Sequence, residues 1–596
     1  MKDSMKPCHH SLPEDAVYKE VVVIGNGPSG MVTSFMLAGN VPYLKEIPDD
    51  TPIDEMLKAR LSSLPPGRSL YEADLEQLAE GLEGRSQNPI PILLDSLMRP
   101  GADLGFQAEP LVEWRFEPDK QIDHVVLGRS GVGGAWRTFP AGVVTLSPGA
   151  WLTLPPHVSP AESPPARVPA RAVAAYCRRY AKLCGIQQYF HNGVAVSAVR
   201  RAAVGAPPPA CPSPRCPLRA RWLVTGYEVC SGRRFAYACS RVVVACGASD
   251  RASTLPALAP HAHHSLAALQ HTLNTLEEIG DNVVRTVLVV GSGLSAADAV
   301  LAARARGFVA AHVHRAPPDT LARLPRHAYP DYAEIYKMMC DGPSGNHKNY
   351  ISLYGHAVVD VTPIDHAGDP TLTPKRIRLH DLATDQTKEI TVSVVAVFIG
   401  SKPDLQFLQG YNDLNYIRER DDEPCLKCIE NQYKTIEDEQ PNKCYLKNRW
   451  HYLKTVLEQS IQSCKSRYLN TEINGNDGKN CAVPDCKKTA DECTFVSEFQ
   501  NGTIEAKLAK CGCRYMEKCD CSASDPDGIG LGIDAGKPVD SRSNPIAIDV
   551  GTHEALRAPP GMYALGPVAG DNFVRFIPGG ALAAVAHVHK TRNDAY

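Results

Sequence analysis

The stretch VVVIGNGPSG, Val21 to Gly30, decides the fold of this chain. Its run of branched apolar residues is typical of a strand buried on both faces of a parallel sheet. Glycines follow at G-x-G-x-x-G spacing, ahead of a helical segment. In such a turn the first glycine permits the bend, the second lets the backbone approach a pyrophosphate, and the third allows close strand-to-helix packing. The turn therefore predicts dinucleotide binding, the alternative being a glycine-rich turn without a ligand. The residues assigned to this site are Gly25, Gly27, Pro28, Ser29 and Gly30.

A second turn of the same kind occurs in VLVVGSGLSAAD, Val287 to Asp298. Alanine takes the third position, where it is the permitted variant. The next strand ends in His314 and Arg315, at the place where an acidic residue would hold an unphosphorylated ribose. A cation there favours NADPH, although an arginine on a solvated strand end is the simpler alternative. The residues assigned to this second site are Gly291, Ser292, Gly293, Ser295, Ala296 and Arg315.

Further valine-rich runs, RVVVACGA, VAAHVHR and SVVAVFIG, are also bounded by glycine or polar residues. Because continuous apolar runs indicate strands covered on both faces, they predict an α/β fold with two doubly wound, Rossmann-like sheets. The two glycine turns then have a common explanation. One site would hold a flavin dinucleotide, and the other would hold the nicotinamide that reduces it.

Bulk composition narrows the class of partner. The 596 residues are enough for several domains, and a net charge of -3 with 22% charged residues provides no broad field for nucleic acid. No apolar run reaches the roughly 18 residues of a membrane span, and the N-terminal residues lack an apolar signal segment. We therefore expect an intracellular, cytoplasmic protein with a small-molecule partner, no bound nucleic acid and no membrane span.

Eleven of the twenty cysteines crowd between Cys425 and Cys521, in a segment rich in charged and amide residues. Cys425 and Cys428 form a Cys-x-x-Cys pair, which is compatible with zinc. The irregular spacing and the polar composition favour instead a flexible insertion with reduced or redox-sensitive thiols. Residues 409–543 are accordingly assigned to a Cys-rich, flexible insertion, and no metal site is assigned.

Several longer strings resemble a known family. VVVIGNGPSG, GVGGAWR, VVVACGASD, GSGLSAAD and VFIGSKPDLQFL occur in the order found in flavin-containing and Baeyer–Villiger-type monooxygenases. HVVLGRSGVGGAW and YALGPVAGDNFVRFIPGGALA, together with LYEADLEQLAEGLEGRSQNPIPILLDSLMRPGADLGF, look like the oxidative stress-induced growth inhibitor family. The likeness covers most of the chain outside the Cys-rich segment.

This resemblance implies a monooxygenase that uses NADPH and molecular oxygen, with FAD in a discontinuous domain into which the NADPH domain is set. It also implies a role in the control of cell growth under oxidative stress. Gly133, Gly134 and Trp136 would line the adenine and ribityl side of the flavin, and Gly566 and Asp571 would close the site from the C-terminal segment. The corresponding division of the chain is a polar tail at 1–17, FAD-binding residues 18–282, an NADPH domain at 283–408, the insertion at 409–543 and an FAD-binding return at 544–596.

Two departures from that pattern leave a second interpretation open. The strand before the glycine pair offers Leu127, Gly128 and Arg129 where a ribose-binding carboxylate is usual. The monooxygenase fingerprint is only echoed before His271, so no catalytic residue is assigned. The helix after Gly30 carries no cysteine pair, which argues against a disulfide reductase. The alternative is a catalytically weak or inactive nucleotide-binding scaffold that acts as a redox-responsive regulator with protein partners.

Overall fold

The VVVI run forms the end of the first strand, β1, which is a central strand of a seven-stranded sheet. The computed structural model describes residues 16–592 except 107, 157–165, 203–219, 280–283, 316, 365–368, 370 and 409–526. The first sheet has the order β7 (Phe190–Asn192), β4 (His124–Gly128), β1 (Ala16–Ile24), β10 (Arg234–Val244), β9 (Trp222–Glu228) and β8 (Val194–Arg201). Strand β21 (Met562–Ala564) pairs with β10. The parallel part of this sheet comprises β7, β4, β1, β10 and β21, whereas β9 and β8 continue it antiparallel.

The elements of this part of the chain, in order, are β1 (Ala16–Ile24), α1 (Pro28–Leu37), β2 (Asn40–Leu44), α2 (Glu55–Ser62), α3 (Leu75–Ala79), α4 (Pro89–Met98), β3 (Val112–Phe116), β4 (His124–Gly128), β5 (Val144–Pro148), β6 (Arg167–Pro169), α5 (Ala170–Leu183), β7 (Phe190–Asn192), β8 (Val194–Arg201), β9 (Trp222–Glu228) and β10 (Arg234–Val244). The short β11 (Arg251–Ala252) then leads to the second sheet. After the segment 409–526, which is not described, β21 (Met562–Ala564) and α10 (Ile577–Lys590) complete the first sheet and its helical cover.

Alternate residues of β1 enter two different cores, as expected for a strand buried on both faces. Val21 and Val23 join a cluster that includes residues of α1, α4, α5 and α10. Val22 and Ile24 join a second cluster, with residues of β8, β9 and the C-terminal segment 531–569. Within the described residues, α-helices therefore cover one face, and strands and loops cover the other. The doubly wound arrangement was wrong on this point, because an apolar run reports burial without reporting what covers it.

The second sheet has five parallel strands in the order β12-β19-β13-β14-β15. The elements of this region are β12 (Ala262–His263), α6 (Leu266–Ile279), β13 (Thr286–Val290), α7 (Leu294–Ala305), β14 (Val309–His314), α8 (Asp319–Ala322), α9 (Pro330–Asp341), β15 (Tyr350–Tyr354), β16 (His356–Pro363), β17 (Lys375–Asp381), β18 (Thr387–Val392), β19 (Val394–Val397) and β20 (Ser401–Lys402). One face packs against α6, α7 and α9. The antiparallel sheet β16-β17-β18 covers the other face, so this sheet too has helices on one side.

Two boundaries differ from those drawn on the sequence. Helix α6 packs on the second sheet through Leu269, Leu273 and Leu276, so the second region starts before residue 283. Leu531 and Val539 are buried in the core of the first sheet, so the C-terminal return starts before residue 544. The division of the chain that the resemblance implies therefore differs from the structure at both points.

Both sheets belong to one compact unit. Strand β11 pairs with β20, so the two segments that connect the sheets run side by side. Arg251 and Lys402 on these strands both bind the Asp527 carboxylate, at 2.7 and 3.1 Å. The residue that follows the undescribed segment is thus held against both connections. Among the described residues, no helix is long and apolar enough to cross a membrane.

Candidate functional site

The first glycine turn lies between β1 and α1, and two of its glycines are required by the fold. Gly25 has φ +120°, and a Cβ there would lie 2.1 Å from the Ala245 carbonyl oxygen. A Cβ on Gly30 would lie 1.9 Å from the Gly25 oxygen. Gly27 differs, since its φ of -76° suits any residue and the nearest atom to its Cβ position is 4.0 Å away. The protein itself therefore gives no steric reason for a glycine at position 27.

The second turn, between β13 and α7, repeats this division. Gly291 has φ +138°, and its Cβ would lie 2.1 Å from the Phe398 carbonyl oxygen. Ala296 is fully buried in the core beneath the turn. Gly293 has φ -90°, and no atom lies within 4 Å of its Cβ position. Ser292 is half-buried and Ser295 is exposed. In both turns only the middle glycine leaves open space, and that is the glycine that would contact a pyrophosphate.

The helices that follow both turns begin without a capping side chain. Neither α1 nor α7 has a side-chain hydrogen bond at its N-cap or an acidic residue in its first turn. Helices α2 and α3 are capped by Asp54 and Asp74, whereas α4, α5 and α10 also begin without a side-chain cap. The first N–H groups of a helix carry partial positive charge and need acceptors. The uncapped ends of α1 and α7 therefore suit an anion.

The glycine pair after β4 contacts the first turn directly. The Gly133 N–H donates to the Asn26 carbonyl oxygen at 2.9 Å. Gly134 has φ +55°, and its Cβ would lie 2.9 Å from the Gly27 Cα, so a side chain is excluded there. Trp136 is half-buried, and its ring meets the Phe139 ring edge-on at 5.6 Å. The structure thus brings together residues that are more than a hundred positions apart in sequence.

The strand end that lacks a carboxylate is filled by an amide. Asn26 is 4% exposed, and its Nδ2 donates to the Ser130 carbonyl at 2.5 Å and to Asn192 Oδ1 at 2.8 Å. A Cβ on Gly128 would lie 2.1 Å from the Asn26 Cγ, so the amide occupies the space of any side chain at position 128. Arg129 points elsewhere and pairs with Asp404 at 2.9 Å. The Asn26 amide therefore fills the place where the side chain of an acidic residue would lie.

The C-terminal segment reaches the first turn through one of its two predicted residues. Gly566 has φ +71°, and its Cβ would lie 2.2 Å from Ser29 Oγ. Asp571 is 1% exposed and accepts hydrogen bonds from Ser86 Oγ at 2.6 Å and Asn88 Nδ2 at 3.1 Å. Burial raises the pKa of Asp571 to about 7. Its carboxyl group thus anchors the segment before α4, and Gly566 is the residue in contact with the turn.

Histidines near the second turn are the functional candidates that the sequence analysis missed. His271, which follows the partial match to the monooxygenase fingerprint, is exposed on α6. His264 follows β12 at the carboxyl edge of the second sheet, and both of its ring nitrogens are buried without a partner among the described residues. His312 is fully buried on β14 and binds the carbonyl of Gly291. Arg315 is exposed one residue beyond the end of β14. The described ranges contain no group of three His, Cys, Asp or Glu side chains that could hold a metal ion.

Fold and site together define a mixed α/β protein with two main sheets. In each of these sheets, one strand leads into a glycine-rich turn and then into a helix without a side-chain cap. Its relatives give it a family. It is 29% identical to mouse oxidative stress-induced growth inhibitor 1 over 96% of this chain and 95% of the relative. It is 30% identical to human oxidative stress-induced growth inhibitor 2 over 67% of this chain and 82% of the relative. The chain belongs to the oxidative stress-induced growth inhibitor family.

Solved structures of flavoenzymes resemble it more distantly. A cadaverine monooxygenase from Erwinia amylovora, bound to FAD, covers 69% of this chain and 85% of its own, with 13% identity and a TM-score of 0.38. A bacillithiol disulfide reductase from Bacillus cereus covers 66% of this chain and 82% of its own, also with 13% identity and a TM-score of 0.38. No protein-family model matches the chain.

Proposed function

We propose that this protein is a flavoprotein monooxygenase that binds FAD at the first turn and NADPH at the second. The observation that carries the proposal is the open space at Gly27 and Gly293, where the fold would accept a side chain and the sequence has none. A pyrophosphate resting on the backbone would explain both glycines. Uncapped helix ends at the same two places support anion binding.

The residues of each turn would hold their dinucleotide in the same way. At the first turn, Gly27 leaves room for the FAD pyrophosphate at the N-terminus of α1, while Gly134 and Gly566 bring two further backbone segments against the turn. At the second turn, Gly293 would do the same for NADPH at the N-terminus of α7. Arg315, exposed at the end of β14, would pair with the 2′-phosphate.

The chemistry belongs to the cofactors. When bound, the two cofactors would supply hydride transfer from NADPH and the transfer of one oxygen atom of O2 to a substrate, with the other atom leaving as water. The chain would bind and orient both dinucleotides and exclude water, and no side chain is assigned to the oxygenation itself. By the names of its relatives, the protein would act in growth control under oxidative stress, in company with protein partners.

A nucleotide-binding scaffold without catalytic activity is the second candidate, and the strand end at Gly128 favours it. The Asn26 amide there offers no negative charge to a ribose hydroxyl, so flavin would be held more weakly than by a carboxylate. Weak flavin retention would leave a protein that responds to nucleotides without turning substrate over.

Purification of the full chain, followed by an absorbance spectrum and nucleotide identification after denaturation, tests the proposal. The enzyme predicts bound FAD and oxygen-dependent NADPH oxidation. The scaffold predicts nucleotide binding with no NADPH oxidation above free flavin. A chain that binds neither FAD nor NADPH would contradict both.

A further inference from the structure

One fully buried histidine on β14 touches the second glycine turn. His312 is 0% exposed. Its Nε2 lies 2.7 Å from the Gly291 carbonyl oxygen, and its Nδ1 lies 3.0 Å from the Tyr350 hydroxyl. The Gly291 N–H also donates to the Val313 carbonyl at 3.0 Å. Strand β14 therefore holds Gly291 on both its N–H and its carbonyl sides.

These contacts define which nitrogen of His312 carries the hydrogen. A carbonyl oxygen can only accept, so Nε2 is the donor to Gly291. Nδ1 is then the acceptor, and the Tyr350 hydroxyl donates to it. Burial, with His314 close by, lowers the pKa of His312 to about 4, so the ring is neutral at physiological pH. Tyr350 thus selects the tautomer that can bind the turn.

The bond to Gly291 orients the peptide that enters the turn. In a trans peptide the C=O and the N–H point in opposite directions. Because the Gly291 carbonyl points at His312, the Ser292 N–H points away from it. Position 291 itself tolerates only glycine, since a Cβ there would meet the Phe398 carbonyl. His312 therefore helps to hold the Ser292 N–H in this direction.

We propose that His312 is a positioning residue that presents the Ser292 N–H to the pyrophosphate of a nicotinamide dinucleotide. The inference rests on the proposed function of the second turn. The hydrogen bond from His312 to Gly291 would strengthen binding through preorganisation, because a peptide already held in place loses less freedom when the phosphate binds. Tyr350 contributes through the tautomer that its hydroxyl group selects in His312.

A second buried histidine provides a matched control. His124, at the start of β4, is 1% exposed and also bonds through both nitrogens, to Ser34 Oγ and to the Ile122 carbonyl, each at 2.8 Å. It lies at the amino end of its strand, away from the glycine turn at the carboxyl end. A purely structural loss should therefore appear equally in His124→Leu and His312→Leu.

The test measures NADPH binding to the full-length chain by calorimetry, with the melting temperature and bound flavin recorded for each variant. His312→Leu should weaken NADPH binding by about tenfold, and Tyr350→Phe by a few-fold, with flavin retained. His312→Gln should stay close to the wild type, since its amide N–H can still donate to Gly291. His124→Leu should lower the melting temperature without changing NADPH affinity.

A direct readout is the ¹⁵N resonance of the Ser292 amide in serine-labelled protein. NADPH should shift it in the wild type and in His312→Gln, and Tyr350→Phe should reduce the shift. Unchanged NADPH affinity in His312→Leu would overturn the inference, and should that variant not fold, an unchanged affinity and Ser292 shift in Tyr350→Phe would overturn it. If the wild type does not bind NADPH, or if Gly293→Ala binds it normally, the proposed function of the turn itself is wrong.

Discussion

The packing of Asn26 against Gly128 makes a quantitative prediction about the first turn. In Gly128→Ala, the new Cβ would lie 2.1 Å from the Asn26 Cγ, so the amide must move. Asn26 would lose its bonds to Ser130 and Asn192, each worth about 1 kcal/mol. The forced repacking adds about 1 kcal/mol. Gly128→Ala should therefore lower the free energy of unfolding by about 3 kcal/mol.

A double-mutant cycle isolates this contact. Asn26→Ala alone should cost about 2 kcal/mol, because it removes the same two hydrogen bonds. Asn26→Ala removes the three atoms that lie nearest the new Cβ, so the double variant should be about as stable as Asn26→Ala. The coupling free energy would then be about 3 kcal/mol, measured by urea unfolding. Gly142→Ala is the control, since Gly142 is exposed and has no atom within 4 Å of its Cβ position.

The same cycle reports on flavin binding. In the Asn26→Ala background, Gly128→Glu places a carboxylate where ribose-binding acids normally lie. A charge-assisted hydrogen bond to the ribose should then raise FAD affinity about tenfold over Asn26→Ala alone. If the effects of Asn26→Ala and Gly128→Ala on the free energy of unfolding add to within about 0.5 kcal/mol, the steric argument is refuted. Equal FAD affinity with and without the Gly128→Glu substitution would refute the assignment of this strand end to the ribose.

Three further predictions address the second turn, the buried carboxyl group and the Cys-rich segment. Arg315→Ala should weaken NADPH binding by about tenfold or more and leave NADH binding unchanged, as measured by calorimetry; equal losses would remove its role. The folded state raises the pKa of Asp571 to about 7, so folding stabilises its protonated form, and that stability is lost as pH rises from about 4 through 7. The free energy of unfolding of Asp571→Asn should lack this loss, and parallel pH profiles for the variant and the wild type would contradict the prediction. Deletion of residues 421–525 should leave FAD and NADPH binding intact, because Leu408 before the segment and Leu531 after it are buried in one core; loss of flavin from a folded deletion variant would show otherwise.

The strands and the turns could be predicted because their signals are local. Valine-rich runs form β1, β10, β13 and β19, and a glycine follows β1 and β13 directly, at Gly25 and Gly291. Backbone conformation and neighbours at Gly25, Gly30 and Gly291 agree with the reasons given for glycine at those positions. A periodic pattern records burial and bends, and both depend on a few adjacent residues.

Contacts between distant segments could not be predicted in this way. Asp571 remains a predicted flavin contact, and nothing in the sequence indicates that it accepts a hydrogen bond from Ser86, 485 positions away. Nothing in the sequence marks Asn26 as the residue that fills the space above Gly128. The spacing of His312 and His314 on a strand indicates two polar side chains on one face of the sheet. The role of His312, however, depends on its contact with Tyr350, 38 positions further on. The assignments made within residues 409–526, zinc site or flexible insertion, lie outside the described residues.

The central claim is that each turn holds its own dinucleotide, and the pair Gly27→Ala and Gly293→Ala tests it most directly. Both positions accept a methyl group without a clash, so both variants should fold, with melting temperatures close to that of Gly142→Ala. Bound FAD and the affinity for NADPH would be measured in each purified variant. The account predicts that Gly27→Ala loses FAD and that Gly293→Ala retains FAD and loses NADPH affinity. If both folded variants retain wild-type FAD and NADPH binding, the claim is wrong.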